Sequence, residues 1–242
     1  MDLRNKNIVI TGAANGIGKC LARQLHAKGA NLFLIDLDAI NLTRLVKELG
    51  CVGLACDVRE FLDITMAVQN EMGRADILIN NAGIGDSTYL SELQEINFWA
   101  PYRLVNSMKG LKRVVNVSSG QVFFKLPSWG KYAATKAALS TWSETLGFES
   151  KDLHVLTVYP FMTDTGFYKG IEQDTWAGKM SMKLLPYYSQ SPETVAKKIV
   201  RAIERDKRVE MVHPINYVGK AIDAIPGLRT VVGTLAAKLL CK

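Results

Sequence analysis

Three side chains near the middle of the 242-residue chain have the types and spacing for proton chemistry on an oxygen atom. Tyr132 and Lys136 stand at i and i+4, so on a helix both project from one face. A free phenol ionises near pH 10, roughly, too high for a base at neutral pH. An ammonium group a few ångströms away favours the phenolate and lowers that value. Tyr132 is then a suitable proton carrier for an alcohol/ketone pair. Ser119 precedes Tyr132 by 13 residues and follows the strand-like run Val114–Ser118. Its hydroxyl can donate to a substrate oxygen as negative charge develops there.

A second group of residues suits a polyphosphate. Thr11-Gly12-Ala13-Ala14-Asn15-Gly16-Ile17-Gly18 comes directly after the apolar run Lys6–Ile10 and opens a helical pattern carried by Ile17, Leu21 and Leu25. Gly12 lets the chain leave the strand tightly, Gly16 lets backbone N–H groups approach a pyrophosphate, and Gly18 lets the helix pack closely on the sheet. The helix N-terminus then faces the anion. Gly12, Ala14, Asn15, Gly16, Ile17 and Gly18 are therefore candidate cofactor contacts. Asp36 ends the next apolar run, Asn31–Ile35. A carboxylate there accepts hydrogen bonds from ribose hydroxyls and repels a 2′-phosphate. Neither Leu37 nor Asn15 offers the cation such a phosphate needs. The expectation is NAD, with NADP the less favoured alternative.

These residues need a scaffold, and strand-like and helix-like segments alternate along the whole chain. The strand-like runs are Lys6–Ile10, Asn31–Ile35, Val52–Cys56, Asp76–Asn80, Val114–Ser118, His154–Tyr159 and Val209–Val212. Helical patterns lie between them, at Ile17–Lys28, Asn41–Leu49, Glu60–Met72, Ser91–Met108 and Trp129–Ser150, and Ser191-Pro192-Glu193 opens a further one. Continuous apolar strands in strict alternation with helices predict a parallel sheet covered on both faces. The reading is a single doubly wound α/β domain over residues 1–242, of about seven strands with helices on both faces. A substrate lid is expected around 165–191.

The turn has the spacing TGxxxGxG, and with the rest of the chain it resembles the short-chain dehydrogenase/reductase family, whose domain is Rossmann-like. Asn80-Asn81-Ala82-Gly83 resembles the family's NNAG, and Tyr132-Ala133-Ala134-Thr135-Lys136 its YxxxK, with Ser119 at the usual separation. The resemblance implies further roles. Asp57 and Val58 would stand beside the adenine, and Asn81, Ala82 and Gly83 beside the cofactor. Lys136 would also hold the nicotinamide ribose, with Tyr132 beside it. Asn97 matches the family's helix asparagine, which orders a water for proton relay. Pro160, Thr163 and Thr165 match the segment that closes over the nicotinamide. The implied reaction moves a hydride between the nicotinamide and a secondary alcohol or ketone. A homo-oligomer, dimer or tetramer, joined through the long helices is implied as well.

Two departures stand out. The family usually has Pro-Gly where this chain has Pro160-Phe161, and if that site needs a positive φ, Phe is costly there. The loop is then expected to take another path. The segments Gly83–Asn97 and Met108–Val114 are also shorter than the family's, which suggests an open or differently roofed site. Aromatics and methionines in the lid, among them Phe167, Tyr168, Trp176 and Met180, suit an apolar substrate of hydroxysteroid, hydroxyacyl or lipid-like type.

The formal net charge is +7, and Val195–Lys242 alone carries ten Lys or Arg against four Asp or Glu. The excess lies away from the nucleotide-binding motifs, and no nucleic-acid motif accompanies it. In the basic segment 226–242, Leu228, Val231, Val232, Leu235 and Leu239 form one apolar stripe if helical. That stripe can dock on protein or lie on a membrane surface as a peripheral contact. No run of 18 or more apolar residues occurs, and residues 1–10 lack the apolar core of a signal peptide. The expected place is the cytoplasm, free or membrane-associated. The four cysteines match no zinc spacing and read as free thiols; no metal is expected. The competing reading is a non-catalytic, dinucleotide-binding regulatory or scaffold protein.

Overall fold

A computed structural model describes residues 1–85, 89–124, 129–168, 189–225, 227–228, 230–231 and 234–235. In chain order the first elements are β1 (Asn7–Thr11), α1 (Gly16–His26), β2 (Asn31–Asp36), α2 (Ala39–Leu49), β3 (Val52–Ala55), α3 (Phe61–Met72) and β4 (Ile77–Asn80). Then come α4 (Leu90–Gln94), a π-helical turn (Glu95–Trp99), α5 (Ala100–Ser107), β5 (Arg113–Val117), a 3₁₀ turn (Gly120–Val122), α6 (Gly130–Glu149) and β6 (His154–Tyr159). A 3₁₀ turn (Gly166–Tyr168), α7 (Pro192–Glu204), β7 (Val209–Met211) and α8 (Ile215–Asp223) follow.

Among the described residues the seven strands form one sheet in the order β3-β2-β1-β4-β5-β6-β7, every pair parallel. The inner strands β1, β2 and β4 are largely apolar because both faces are covered. Ile8, Ile10, Leu32, Leu34, Ile77 and Ile79 point to one side and pack with α1, α2 and α7. Their neighbours Val9, Phe33, Ile35 and Leu78 point to the other and pack with α3 and α5. The chain order reverses between β1 and β4, and in open α/β sheets ligands bind in the crevice outside the carboxyl ends at such a point.

The helix ends follow local chemistry. Asp38 caps α2 by accepting the Asn41 N–H at 3.0 Å, and Ser191 caps α7 by accepting the Thr194 N–H at 3.2 Å with Pro192 in the first turn. The helix expected over Ser91–Met108 is interrupted by the π-turn Glu95–Trp99 between α4 and α5. A π-turn adds a residue to the helical turn, which a 3.6-residue periodicity does not reveal. Most of the lid expected at 165–191 lies outside the described residues, as do Pro226, Arg229, Val232, Gly233 and 236–242 of the C-terminal segment. Cys20, Cys51 and Cys56 are free thiols.

Candidate active site

The glycine turn and the loop after β4 are tied together. Asn81 donates its Nδ2 to Thr11 O at 3.1 Å and to Gly12 O at 2.9 Å, while the Thr11 hydroxyl accepts the N–H groups of Asn81 and Ala82, both at 3.1 Å. Gly12 has φ +65°, and a Cβ there would lie 2.8 Å from Ala82 Cα. A Cβ at Gly18 would overlap the Gly12 carbonyl oxygen and come 2.7 Å from Asn81 Nδ2. The turn therefore takes glycine at both places for close backbone approach. It leaves the start of α1 open to the cavity, with Asn15, Gly16 and Ile17 in the wall, as a pyrophosphate requires.

Asp36 sits beside this turn. Its carboxylate accepts the Ala14 N–H at 2.8 Å and the Asp38 N–H at 2.9 Å, which fixes its orientation. Asp38 is held in turn by Asn41 and by Asn15 Nδ2 at 3.1 Å. Hydrogen bonds from Asn41, chiefly its backbone N–H, hold the Asp38 carboxyl below its usual range. Asp57 is chelated by Arg59 at 3.0 and 2.6 Å, and that guanidinium keeps its carboxyl low too. This end of the cavity is lined by the Asp36 and Asp57 carboxylates, and the Arg59 guanidinium is already bonded to Asp57. Among the described residues that line the cavity, Lys136 is the one cation.

The other end is built from α6 and the ends of β5 and β6. The buried face of α6 carries Tyr132, Thr135, Lys136, Leu139, Ser140 and Ser143, so Leu139 is the one aliphatic residue among them. Directional bonds fix its position. Ser143 Oγ accepts from Asn116 Nδ2 and Thr157 Oγ1, both at 2.9 Å, and Asn116 accepts from Asn80 Nδ2 at 2.8 Å. The Ser118 and Ser140 hydroxyls lie 2.6 Å apart. This seam sets the rotation of α6 and hence the direction in which Tyr132 and Lys136 point.

Tyr132 lies between Trp129 and Phe167, ring centroids 5.8 and 5.6 Å away. Lys136 donates to Val117 O at 3.0 Å, and its Nζ stands 6.0 Å from the Tyr132 ring centroid. Burial alone pulls its pKa down from 10.5 to about 8. Strand β5 ends at Val117, so Ser119 stands two residues past it, with extended backbone. Its Oγ accepts the Gln121 N–H at 3.2 Å, which occupies a lone pair and leaves the O–H as a donor. Ser119, Tyr132 and Lys136 all line one cavity of about 730 Å³ with the glycine turn and Asp36.

Pro160, Thr163 and Thr165 line the same cavity. The Thr165 methyl would lie 3.0 Å from a Cβ on Gly16, so the loop after β6 reaches over the glycine turn. Phe161 does not take a positive φ; among described non-glycine residues only Asn5 and Asp206 do. Its ring packs on Phe124 at 5.6 Å and His213 at 5.5 Å, so the departure from Pro-Gly adds an apolar wall without backbone strain.

Gly12, Asp36, Leu37, Asp57, Val58, Asn81, Ala82 and Gly83 also line the cavity. Ala14, Gly18 and Asn97 stand behind its wall. Ala14 is fully buried and its N–H serves Asp36. Gly18 holds α1 against the Gly12 backbone. Asn97, in the π-turn, accepts the Ile84 N–H and donates to Ile84 O, both at 2.9 Å, and also donates to Thr135 Oγ1 at 3.1 Å. Its side chain is thus committed to joining the loop after β4 to α6. The motifs did not pick out Gln121, Trp129 or Met162, which also line the cavity. For Gln121 the signal was its place two residues after Ser119; Trp129 and Met162 had none beyond adjacency to a motif.

A parallel sheet with a glycine turn at β1, an acidic residue ending β2, and a Ser/Tyr/Lys set on β5 and α6 defines a dinucleotide-dependent oxidoreductase architecture. Residues 6–176 match the family model described as short chain dehydrogenase. The 11-beta-hydroxysteroid dehydrogenase A of Sesamum indicum is 31% identical, with 86% of this chain and 68% of the relative covered. A short chain dehydrogenase/reductase from Burkholderia phymatum, solved in complex with NAD, superposes with a TM-score of 0.82 at 22% identity, covering 92% of this chain and 94% of that one. A short-chain dehydrogenase from Sphingobium yanoikuyae, in complex with NADPH, gives 0.74 at 24% identity, covering 94% of each chain. The chain belongs to the short-chain dehydrogenase/reductase family of oxidoreductases.

Proposed function

We propose that the protein interconverts a secondary alcohol and a ketone with NAD as the preferred cofactor, and that the substrate is largely apolar. The observation that carries this is one cavity lined at one end by the glycine turn and Asp36, and at the other by Ser119, Tyr132 and Lys136. NAD(H), when bound, takes up or supplies the hydride. Gly12, Gly16 and Ile17 would hold its pyrophosphate with backbone N–H groups, and Asp36 its adenosine ribose. The oriented Asp36 carboxylate, and the lack of a lining cation at that end among the described residues, support NAD over NADP.

The chain's own residues handle the proton. In alcohol oxidation the Tyr132 oxygen takes the hydroxyl proton, and in ketone reduction it returns one. The Lys136 ammonium stabilises the phenolate form, and the Ser119 O–H donates to the substrate oxygen. Phe161, Met162, Phe167 and Trp129 supply apolar walls that exclude water. Tyr132→Phe removes the transferable proton but keeps the ring between Trp129 and Phe167. It is expected to lower kcat by about 10²-fold or more while NADH binding persists. Wild-type-like turnover in that variant refutes the mechanism. Tight NADH binding with no turnover by the wild type over a broad ketone panel would favour the scaffold reading instead.

A second reading concerns where the enzyme sits. Ile225, Leu228, Val231 and Leu235 are 42–56% exposed, apolar residues within a basic stretch that carries Lys220, Arg229, Lys238 and Lys242. We propose that this segment rests on an anionic membrane surface and lets an apolar substrate enter from it. Among the described residues no helix is long and apolar enough to cross a membrane. Flotation with phosphatidylserine vesicles that is unchanged on removing 226–242 would overturn this. The protein is further taken as a homo-oligomer joined through its long helices, where Trp99, Tyr102 and Phe148 are exposed.

A further inference from the structure

We propose that Phe161 sorts the two sides of the substrate carbonyl: a slender, unbranched limb fits against its ring, and a branched limb must lie on the other side. The substrate class that fits is an unsymmetrical apolar ketone, or its alcohol, branched on one side of the reacting carbon. This deepens the oxidoreductase reading and rests on it. Phe161 is the residue at which the chain departs from Pro-Gly. It is half-buried and lines the same cavity as Ser119, Tyr132 and Lys136. Its ring borders the serine turn, since a Cβ on Gly120, the neighbour of Ser119, would lie 3.2 Å from Phe161 Cδ2. Tyr132 comes instead from α6, with Trp129 and Phe167 around its ring. A carbonyl oxygen bonded to both the Ser119 and the Tyr132 hydroxyls therefore has one of its two limbs beside the serine turn, against Phe161.

The ring has no room to step back. Its backbone is pinned on either side: Pro160 O accepts the Gly120 N–H at 2.7 Å, and Phe161 O accepts the Thr163 hydroxyl at 3.1 Å. The rings of Phe124 and His213 pack on it at 5.6 and 5.5 Å. Both are held by α8 and the turn that opens it. His213 Nδ1 accepts the Ile215 N–H at 3.1 Å, and a Cβ on Gly219 would lie 2.5 Å from Phe124 Cζ. Asn216 Nδ2 fastens that helix to Tyr159 O at 2.7 Å, two residues before Phe161. A wall backed by Gly120, Phe124 and His213 yields little to added methyl groups, because forcing extra atoms into packed side chains displaces all of them. The limb on the other side of the carbonyl meets none of these contacts.

The test is the reduction of 2,2-dimethylcyclohexanone with NADH and with NADPH, read as the ratio of the two enantiomers of the alcohol. Exchanging the two limbs of the bound ketone turns its opposite face to the hydride, so each placement of the branched limb gives its own enantiomer. Wild type, Phe161→Leu and Phe161→Ala are compared. The wild type is expected to make one enantiomer in about 10-fold excess or more, the discrimination that added methyl groups meet in a closed apolar pocket. Phe161→Ala should bring the ratio close to one, with Phe161→Leu in between. A merely structural role, or weaker cofactor binding, would lower both products together and leave the ratio where it was. A wild-type ratio near one, or a ratio that neither variant lowers, overturns the proposal. So does turnover of cyclohexanone, but not of the dimethyl ketone, by all three proteins. Where Phe161→Ala does not fold, Phe161→Leu decides by the same ratio. If instead the wild type turns over no ketone of a broad panel, or Tyr132→Phe turns over as well as the wild type, it is the oxidoreductase reading that fails and this proposal falls with it.

Discussion

Lys136 is a cation the fold keeps at a cost, and that cost can be measured. Its pKa falls from 10.5 to about 8 because it is buried, with Val117 O accepting from its ammonium. At about 1.4 kcal/mol per tenfold change in protonation, holding the ammonium in the folded chain at pH 7 costs on the order of 3 kcal/mol. The folded pKa lies below the unfolded one, so between pH 8 and 10.5 the unfolded chain binds more protons and stability rises with pH. By pH 10 about 2.5 kcal/mol of the cost is recovered. Lys136→Met fills the same space without a charge and lacks this contribution. Urea denaturation of both proteins at pH 7 and pH 10 gives four free energies. The wild type should gain about 2.5 kcal/mol more than the variant across that interval, with other titrating groups cancelling between them. Parallel changes in the two proteins would refute the assignment of Lys136 as a buried, strained ammonium.

Further outcomes follow from the same geometry. Asp36→Ser combined with Leu37→Arg removes the carboxylate and supplies a cation, and should raise the ratio of NADP to NAD kcat/KM by about 100-fold in steady-state assays. Asn97→Ala leaves the Ile84 N–H and C=O without their partner and should cost about 2–4 kcal/mol in chemical denaturation. Gly18→Ala forces a methyl onto the Gly12 carbonyl and should lower the melting temperature and weaken NADH binding measured by fluorescence, with a stability loss of about 1–3 kcal/mol. Trp99→Glu places a charge on the exposed aromatic face and should reduce the mass seen by light scattering if the protein assembles there.

The parts of the fold that were legible in the sequence are those with short-range causes. Runs such as NLFLI at Asn31–Ile35 must be strands buried on both sides, and TGxxxGxG marks the turn that joins β1 to α1. Tyr132 and Lys136 share a helix face by simple spacing, and they line the cavity together. Less legible were features set by contacts between distant segments. Nothing local in Glu95–Trp99 announces a π-turn, and only the meeting with Ile84 shows how the Asn97 side chain is used. Gln121 reads as an ordinary polar residue until its own bond to Ser119 and the bond of Gly120 to Pro160 bury it beside the site. The serines of α6 look solvent-facing by composition, yet Ser140 and Ser143 face Ser118, Asn116 and Thr157.

That last seam constrains how this protein can vary over generations. An aliphatic interface tolerates exchange one residue at a time, because dispersion has no direction. The interface under α6 does not. Replacing Ser143 alone by alanine strands two buried donors, Asn116 Nδ2 and Thr157 Oγ1. Replacing Asn116 alone strands the Asn80 amide on one side and removes a donor to Ser143 on the other. Viable replacements along this line therefore come in sets, and each set must return α6 to the same rotation. Libraries that randomise Asn80, Asn116, Ser143 and Thr157 jointly should yield folded clones at combinations that no single-site path connects.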